Sequence, residues 1–226
     1  PGLAAINVGT SAALRVMRSG KTARAPFGLF CYRVDAQRFV VGGAVSDAGN
    51  LRAWCLRELR LPNDDAAIES ALAANSGPVA SLTVLPFWTI VRAPTWDEDA
   101  VGVIHGITMN TTALDLLQAI TEASYHRIAR IGEMVVSVEP RAPKFIVSGG
   151  IQRSPAALQR LADVLGQPVY PNDEMEASIR GAAIYALEKL GHPAPALILP
   201  KSVRPRARYA KQYAEARERQ KELERR

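Results

Sequence analysis

The chain has 226 residues, of which 48% are apolar and 22% charged. That is enough for one substantial buried core and too hydrophobic for a disordered chain. The net charge of +6 belongs to one end: residues 197–226 hold ten of the 28 Lys and Arg and four of the 22 Asp and Glu, so residues 1–196 carry 18 of each sign. A neutral body argues against a nucleic-acid partner, which asks for basic residues on a folded face. No apolar run is long enough to span a bilayer, and no signal peptide is legible. Cys31 and Cys55 have neither metal-ligand nor disulfide-framework spacing and read as buried free thiols, which suits a reducing cytoplasm.

Pro1 leads at once into an apolar stretch, so the chain reads as beginning inside a larger protein. Ala4–Val8 and Ala13–Met17 are predicted strands, joined by a Gly9-Thr10-Ser11 turn that offers backbone N–H groups and two hydroxyls to an anion. Such residues also make good turns with no ligand. Gly28–Val34 and Arg38–Val41 follow as strands, and Gly42-Gly43 is expected to break the sheet. Leu51, Trp54, Cys55 and Leu59 give a helix starting near Ser46 or Asp47 one apolar face. A second helix is expected over Asp64–Ala74, then a loop through Asn75 to Pro78. Leu82–Trp88 is a predicted strand and Arg92–Asp99 a polar loop, with Asp97, Glu98 and Asp99 solvated. Gly102–Gly106 is expected to turn the chain back.

Thr111 and Thr112 cap a long helix from Ala113 to about Val136, with Leu116, Leu117, Ile120, Ala123, Ile128 and Ile131 inward and Pro140 and Pro143 beyond its end. Lys144–Val147 is a short strand that runs into Gly149-Gly150. Ser154 and Pro155 open the next helix as N-cap and first helical residue, and Gly166 stops it. A strand, a glycine turn and a helix N-terminus in succession are a common way to hold a nucleotide. The spacing is neither G-x-G-x-x-G nor a P-loop, and the turn alone fits a structural role equally well. Val169-Tyr170 is a short strand before a helix over Glu174–Leu190, with a run of small residues at Ala177–Ala183. The tail reads as a mixed-charge helix from about Pro205 to Leu223, either solvated or laid over the domain. His105, His126 and His192 do not cluster and read as structural.

Without residues 43–110 the order is three strands, a helix, then two strand–helix units, which gives an α/β fold with a mixed sheet and helices on both faces. At this point the residues resemble a family. The order is that of the ribonuclease H-like fold of the actin, Hsp70 and sugar-kinase superfamily. Val8-Gly-Thr-Ser-Ala-Ala-Leu-Arg15, Gly42-Gly-Ala-Val-Ser-Asp-Ala-Gly-Asn50, Leu85-Pro-Phe-Trp88 with Arg92-Ala-Pro-Thr-Trp-Asp97, Val147-Ser-Gly-Gly-Ile-Gln-Arg-Ser154 with Ala162–Val169, and Glu176–Ala183 resemble, in order, the C-terminal domain of FGGY carbohydrate kinases. Gluconate kinases are the most similar branch and xylulose kinases the next.

The resemblance implies roles. Residues 1–196 would be the ATP-binding domain, with an insertion over about 43–110, and 197–226 a basic helical tail. Gly9, Thr10 and Ser11 would bind the ATP phosphates. Gly149, Gly150 and Gln152 would meet the α-phosphate and adenosine, and Ala177, Ser178 and Gly181 would flank the adenine. Arg92 would lie on the substrate side. The cofactors implied are ATP and Mg²⁺, and the acceptor is a sugar or sugar acid, gluconate-like or a pentulose. The family's general base is an Asp just before the Gly-Thr-Ser strand. No Asp occurs in the first 30 residues, so no catalytic residue is expected here, and the N-terminal sugar-binding domain is expected to lie outside these residues. The family's Gly-Glu-Arg reads Ile90-Val91-Arg92, which also admits a non-catalytic nucleotide-binding or assembly module. No metal ligand, membrane or nucleic-acid partner is expected; the location is cytoplasmic, and a homodimer is left open.

Overall fold

The computed structural model describes residues 2–75, 77–137, 143–172, 174, 176–196 and 198–226. Six strands form one mixed sheet: β1 (Leu3–Val8), β2 (Ala12–Ser19), β3 (Phe30–Arg33), β4 (Arg38–Val45), β7 (Lys144–Ser148) and β8 (Val169–Pro171). Their spatial order is β3-β4-β2-β1-β7-β8. The first four pair antiparallel, whereas β7 runs parallel to both β1 and β8. Ala4, Ile6 and Val8 of β1 are buried, while Ala5 between them is exposed. That alternation fixes which face meets the core.

β4 continues through Gly42 and Gly43 to Val45, so these glycines do not break the sheet and residues 43–45 belong to it. The reason is steric. A Cβ on Gly42 would sit 2.1 Å from the Leu14 carbonyl oxygen, and one on Gly43 2.8 Å from the Ala93 methyl. Other expected bounds also shift. The Leu82–Trp88 strand shrinks to β5 (Thr83–Leu85), which stops at Pro86, a residue with no N–H to donate. Val103–His105, read as a turn, is strand β6, paired antiparallel with β5.

The helices are α1 (Gly49–Glu58), α2 (Asp65–Ala74), α3 (Ala113–Val136), α4 (Pro155–Leu165), α5 (Ala177–Lys189) and α6 (Ala210–Glu224). Asp64 caps α2 with its carboxylate. Thr112 and Asp115 close a capping box on α3. Pro140, expected past its end, lies outside the described residues. The last body helix starts at Ala177 rather than Glu174. Cys55 is buried, and burial pushes its thiol up to about 12; Cys31 is only half-buried.

α3 lies at the centre. Ile128, Ile131 and Val135 pack with Leu14, Val16, Val147 and Leu161 beneath the sheet. Leu117, Ile120 and Ala123 join Leu51, Cys55, Ile68 and Leu72 of α1 and α2 in a second cluster. The helix is also buried where no apolar stripe announces it, at Gln118, Glu122, His126 and Arg127. α6 covers that side. Tyr213 is 1% exposed and its hydroxyl donates to Glu122 Oε1 at 3.1 Å. Gln220 Nε2 donates to the carbonyls of Val84 and Ala123 at 2.9 and 3.1 Å. Glu224 pairs with Arg127 and, at 2.7 Å, with Arg130. Arg206, ahead of α6, pairs with Asp163 at 2.7 Å, and Val203 bridges to Val169 of β8. The basic tail is therefore laid over the domain, with part of its charge used inside the fold.

Around Glu122 converge Gln118 Nε2 at 2.9 Å, Arg160 Nη1 at 3.3 Å and the Tyr213 hydroxyl. Burial pushes Glu122 up to about 7 against the pull of these partners. Burial, helped by Arg217 and Arg219, pushes His126 down to about 3. Two predictions follow from this side of the core. Tyr213→Ala costs roughly 3–5 kcal/mol in urea denaturation, the range for deleting a buried aromatic ring. Glu122 favours the fold below its ordinary 4.5 and loses that contribution as pH rises to about 7, whereas His126 favours the fold above 6.5 and loses its contribution as pH falls toward 3. The two oppose each other between 4.5 and 6.5. Across that window Glu122→Gln makes stability drop more steeply toward acid, and His126→Phe makes it rise toward acid; urea midpoints at stepped pH read both slopes.

Candidate functional site

Three chain reversals meet at one end of the sheet. β1 and β7 are parallel neighbours with Asn7 opposite Ser148, so the turn after β1 and the turn after β7 lie side by side. Asn7 Nδ2 donates to Ser148 Oγ at 3.1 Å and ties the two strand ends together. The third reversal is the β4–α1 junction. Ala12 pairs with Val45, and the Gly49 and Asn50 amides donate to the Gly9 and Thr10 carbonyls at 2.8 and 3.2 Å. β8 brings a fourth segment to this end: Val147 pairs with Pro171, and the Asn172 amide donates to the Val147 carbonyl at 2.7 Å. The chain then enters α5, which carries Ala177, Ser178 and Gly181.

The first turn is tight, with the Gly9 amide donating to the Ser11 carbonyl at 2.9 Å; Thr10 is exposed and Ser11 half-buried. In the second, Gly149 has φ +93°, and a Cβ there would fall 2.5 Å from the Val8 carbonyl oxygen. Gly149 is thus fixed by the fold itself. A 3-10 turn, Gly150–Arg153, intervenes before α4, with the Gln152 amide on the Gly149 carbonyl at 3.1 Å. The N-terminus of α4, expected to face a ligand, is already filled. Glu69 of α2 accepts from the Ala156 amide at 2.7 Å and from Ser154 Oγ at 2.6 Å, and Ser154 Oγ in turn accepts from the Ala157 amide. A carboxylate on the first turn satisfies its orphan amides and its dipole. The part of this motif open to a ligand is the Gly149–Gln152 turn.

Three glycines have no such internal reason. A Cβ on Gly9 or Gly150 would meet nothing closer than 3.9 Å, and one on Gly181 nothing within 4 Å. Gly181 sits inside an exposed helix, where glycine costs about 1 kcal/mol relative to alanine. Gly9 and Gly150 lie on the adjoining turns after β1 and β7, and Gly181 lies in the first half of α5, the helix that follows β8.

Arg92 sits at the β4–α1 junction as a brace, its Nε donating to Ser46 Oγ at 3.0 Å and its Nη2 to the Val45 carbonyl at 3.2 Å. Asp47 and Asn50, to which the sequence reading gave no role, hold the same junction. Asp47 is 3% exposed and accepts from Asn50 Nδ2 at 2.6 Å, the Thr89 amide at 2.8 Å and Thr89 Oγ1 at 3.0 Å. Asn50 Oδ1 accepts from the Ala48 amide at 2.7 Å. The glycine-rich stretch from Gly42 to Asn50 was the signal for them. Asp97–Asp99 are exposed, as are His105 and His192, and His126 is buried under α6. No group of three or more His, Cys, Asp and Glu side chains converges among the described residues.

This architecture, with turns from parallel and antiparallel strands gathered at one sheet end, is that of the sugar-kinase fold. Gluconate kinase from Lactobacillus acidophilus superposes with a TM-score of 0.85 at 21% identity, over 98% of this chain and 46% of that one. Xylulose kinase from the same organism gives 0.85 at 22% identity, over 98% and 46%. Residues 4–189 match the C-terminal domain of the FGGY family of carbohydrate kinases, and the chain belongs to that family. Among curated relatives, a glycerol kinase from Allorhizobium ampelinum is 32% identical over 173 residues, covering 71% of this chain and 33% of the relative. A gluconokinase from Bacillus licheniformis is 25% identical over 198 residues, covering 83% and 39%. The chain spans between a third and two fifths of the length of these relatives.

The glycine geometry predicts a separation of effects. Gly149→Ala lowers stability by about 1–3 kcal/mol, the cost of forcing a side chain into a strained left-handed turn. Gly150→Asp leaves the thermal midpoint near that of the wild type and abolishes Mg-ATP binding in calorimetry. Equal binding by both chains would assign the turn a structural role alone.

Proposed function

We propose that this chain is the nucleotide-holding part of an ATP-dependent carbohydrate kinase, which passes the γ-phosphoryl group of ATP to a hydroxyl of a sugar or sugar acid. The observation that carries the reading is the open space at the Cβ positions of Gly9 and Gly150, on the adjoining turns after β1 and β7, with Gly181 equally open in the helix that follows β8. Gly9, Thr10 and Ser11 hold the phosphates through backbone amides and two hydroxyls. Gly149, Gly150 and Gln152 meet the α-phosphate and adenosine, and Ala177, Ser178 and Gly181 line the adenine side. Residues 1–196 form this nucleotide domain, with an insertion after β4, and residues 197–226 are the strap that closes its core.

Mg-ATP, when bound, would supply the phosphoryl group, with the Mg²⁺ carried largely by the phosphates. The chain's own part is positioning and charge stabilisation, which carry most of the catalysis in phosphoryl transfer. The Asp47–Asn50–Thr89 bonds and the Arg92 brace keep the β4–α1 junction against the Gly9–Ser11 turn. The base that takes the acceptor proton, and most of the acceptor site, come from sequence outside these 226 residues. Gluconate-like acids and pentuloses are the acceptors the motifs favour. The glycerol kinases among the relatives extend the class to small polyols. Among the described residues no helix is long and apolar enough to cross a membrane.

A second reading is a non-catalytic module of the same fold. It is favoured by Val91, 4% exposed in an apolar cluster with Leu85 and Phe87, where the family resemblance calls for Glu. Enzyme-coupled ADP release separates the two. The full-length protein is expected to release ADP with one of gluconate, xylulose, ribulose or glycerol. Tight Mg-ATP binding with no turnover of any of them would leave the module reading in place.

A further inference from the structure

α5 is unlike the other helices of the fold. It carries the three residues assigned to the adenine, yet none of its 13 residues is buried. Ile179, Leu187 and Leu190 at and beyond its ends are 66%, 47% and 75% exposed. Burial of an apolar stripe, the usual source of helix stability in a protein, is therefore missing. What holds α5 is polar and sits at its far end. It leaves the β8 edge of the sheet and, about 20 Å later at 1.5 Å per residue, reaches the hairpin between β3 and β4.

There Arg38 Nη1 meets Glu188 Oε2 at 2.8 Å, and Lys189 Nζ meets Asp35 Oδ2 at 3.2 Å. Arg38 also holds Asp35 at 2.7 Å, so the four charges form one alternating cluster. Tyr185 lies inside it, with Arg38 and Lys189 over its ring at 5.3 and 5.1 Å and its hydroxyl on the Val34 carbonyl at 3.4 Å. Among the described residues, the polar side-chain contacts of α5 with the strands all go to this hairpin. The Arg38 and Lys189 hydrogen bonds hold the Asp35 carboxyl well below the usual carboxylate range. That is the direction expected of a cluster with a net pull.

We infer that the Arg38–Asp35–Glu188–Lys189 cluster is an electrostatic clamp that positions α5, and that Arg38 is a positioning residue for the adenine end of the nucleotide site. The inference rests on the nucleotide reading above. A helix anchored by exposed ion pairs is only as fixed as those pairs, and exposed pairs are screened by salt. The phosphate turns sit on β1 and β7, which are anchored by the core, so they are independent of the clamp. The cluster thus acts on adenine recognition and leaves phosphate recognition alone.

The test compares Arg38→Ala, Arg38→Lys and the wild-type chain by amide hydrogen exchange and by calorimetry with Mg-ADP and with Mg-tripolyphosphate, which has phosphates and no adenine. Arg38→Ala should make the α5 amides exchange several-fold faster while β1 and β7 stay protected. Mg-ADP affinity should fall several-fold and tripolyphosphate affinity should hold. Arg38→Lys, which keeps the charge without the guanidinium fork, should recover part of the Mg-ADP affinity. Raising the salt concentration of the wild type should mimic the alanine variant in the α5 exchange rates. Unchanged α5 exchange in Arg38→Ala overturns the clamp. Faster exchange with unchanged Mg-ADP affinity overturns its positioning role. A wild-type chain that binds neither ligand overturns the nucleotide reading and the positioning role with it, and the exchange data then still decide whether the clamp exists.

Discussion

The parallel pairing of β1 with β7 is the constraint on which the candidate site depends. Its register runs from Leu3 opposite Lys144 to Asn7 opposite Ser148. One face of both strands, Ala4, Ile6 and Val8 with Phe145 and Val147, is buried over α3 and α4. A slip of one residue would turn that face to solvent, so the core fixes the register tightly. Fixed register in turn fixes the turns. Gly9 and Gly149 each follow directly from the strand ends, and the Val8 carbonyl leaves no room for a side chain at Gly149. A hydrophobic pattern in the interior thereby sets a backbone arrangement at the surface.

The rest of the fold supports that arrangement from two sides with different physics. Below the sheet, α3 is packed on all sides, and α6 completes its burial through Tyr213, Gln220 and the Glu224 pair with Arg127 and Arg130. Glu122, Gln118 and Arg127 are met by partners here, whereas His126 Nδ1, Arg160 Nε and Arg219 Nε are buried without one. At the rim, α5 has no buried residue and relies on charge. One half of the proposed nucleotide site therefore rests on a packed core and the other on the inferred ionic clamp. The two halves should differ in stiffness, in salt response and in how they answer to substitution.

Much of this was legible in the sequence, and the gaps have identifiable causes. α3 could be bounded at Ala113 and Val136 because Thr112 caps it and its apolar spacing is regular. Ser154, Pro155 and Gly166 marked α4 for the same kind of reason, since caps and left-handed stops are local. The glycine turns at Gly9 and Gly149-Gly150 stood out because only turn residues interrupt two apolar strands. Gly42 and Gly43 misled, because glycine required by close strand packing looks the same in sequence as glycine at a chain break. β6 was missed for its brevity. The burial of Gln118, Glu122 and His126 could not be foreseen from helical periodicity, since the α6 residues that cover them lie about 90 residues further along the chain. Glu69 closing the N-terminus of α4 was hidden for the same reason: the carboxylate comes from α2, far away in sequence. Whether Thr10, Ser11, Gln152 and Ser178 touch a nucleotide rests on the family resemblance and on the open space beside the glycines.

The central claim is that turns from β1, the β4–α1 junction and β7 act as one phosphate-binding unit. The most direct measurement is a set of amide NMR spectra of the chain as Mg-ATP is added. The account predicts that Gly9, Thr10, Ser11, Gly49, Asn50, Gly149 and Gly150 shift together along one saturation curve, with the α6 amides unmoved. Shifts confined to residues away from this end of the sheet, or separate curves for the three turns, would contradict it.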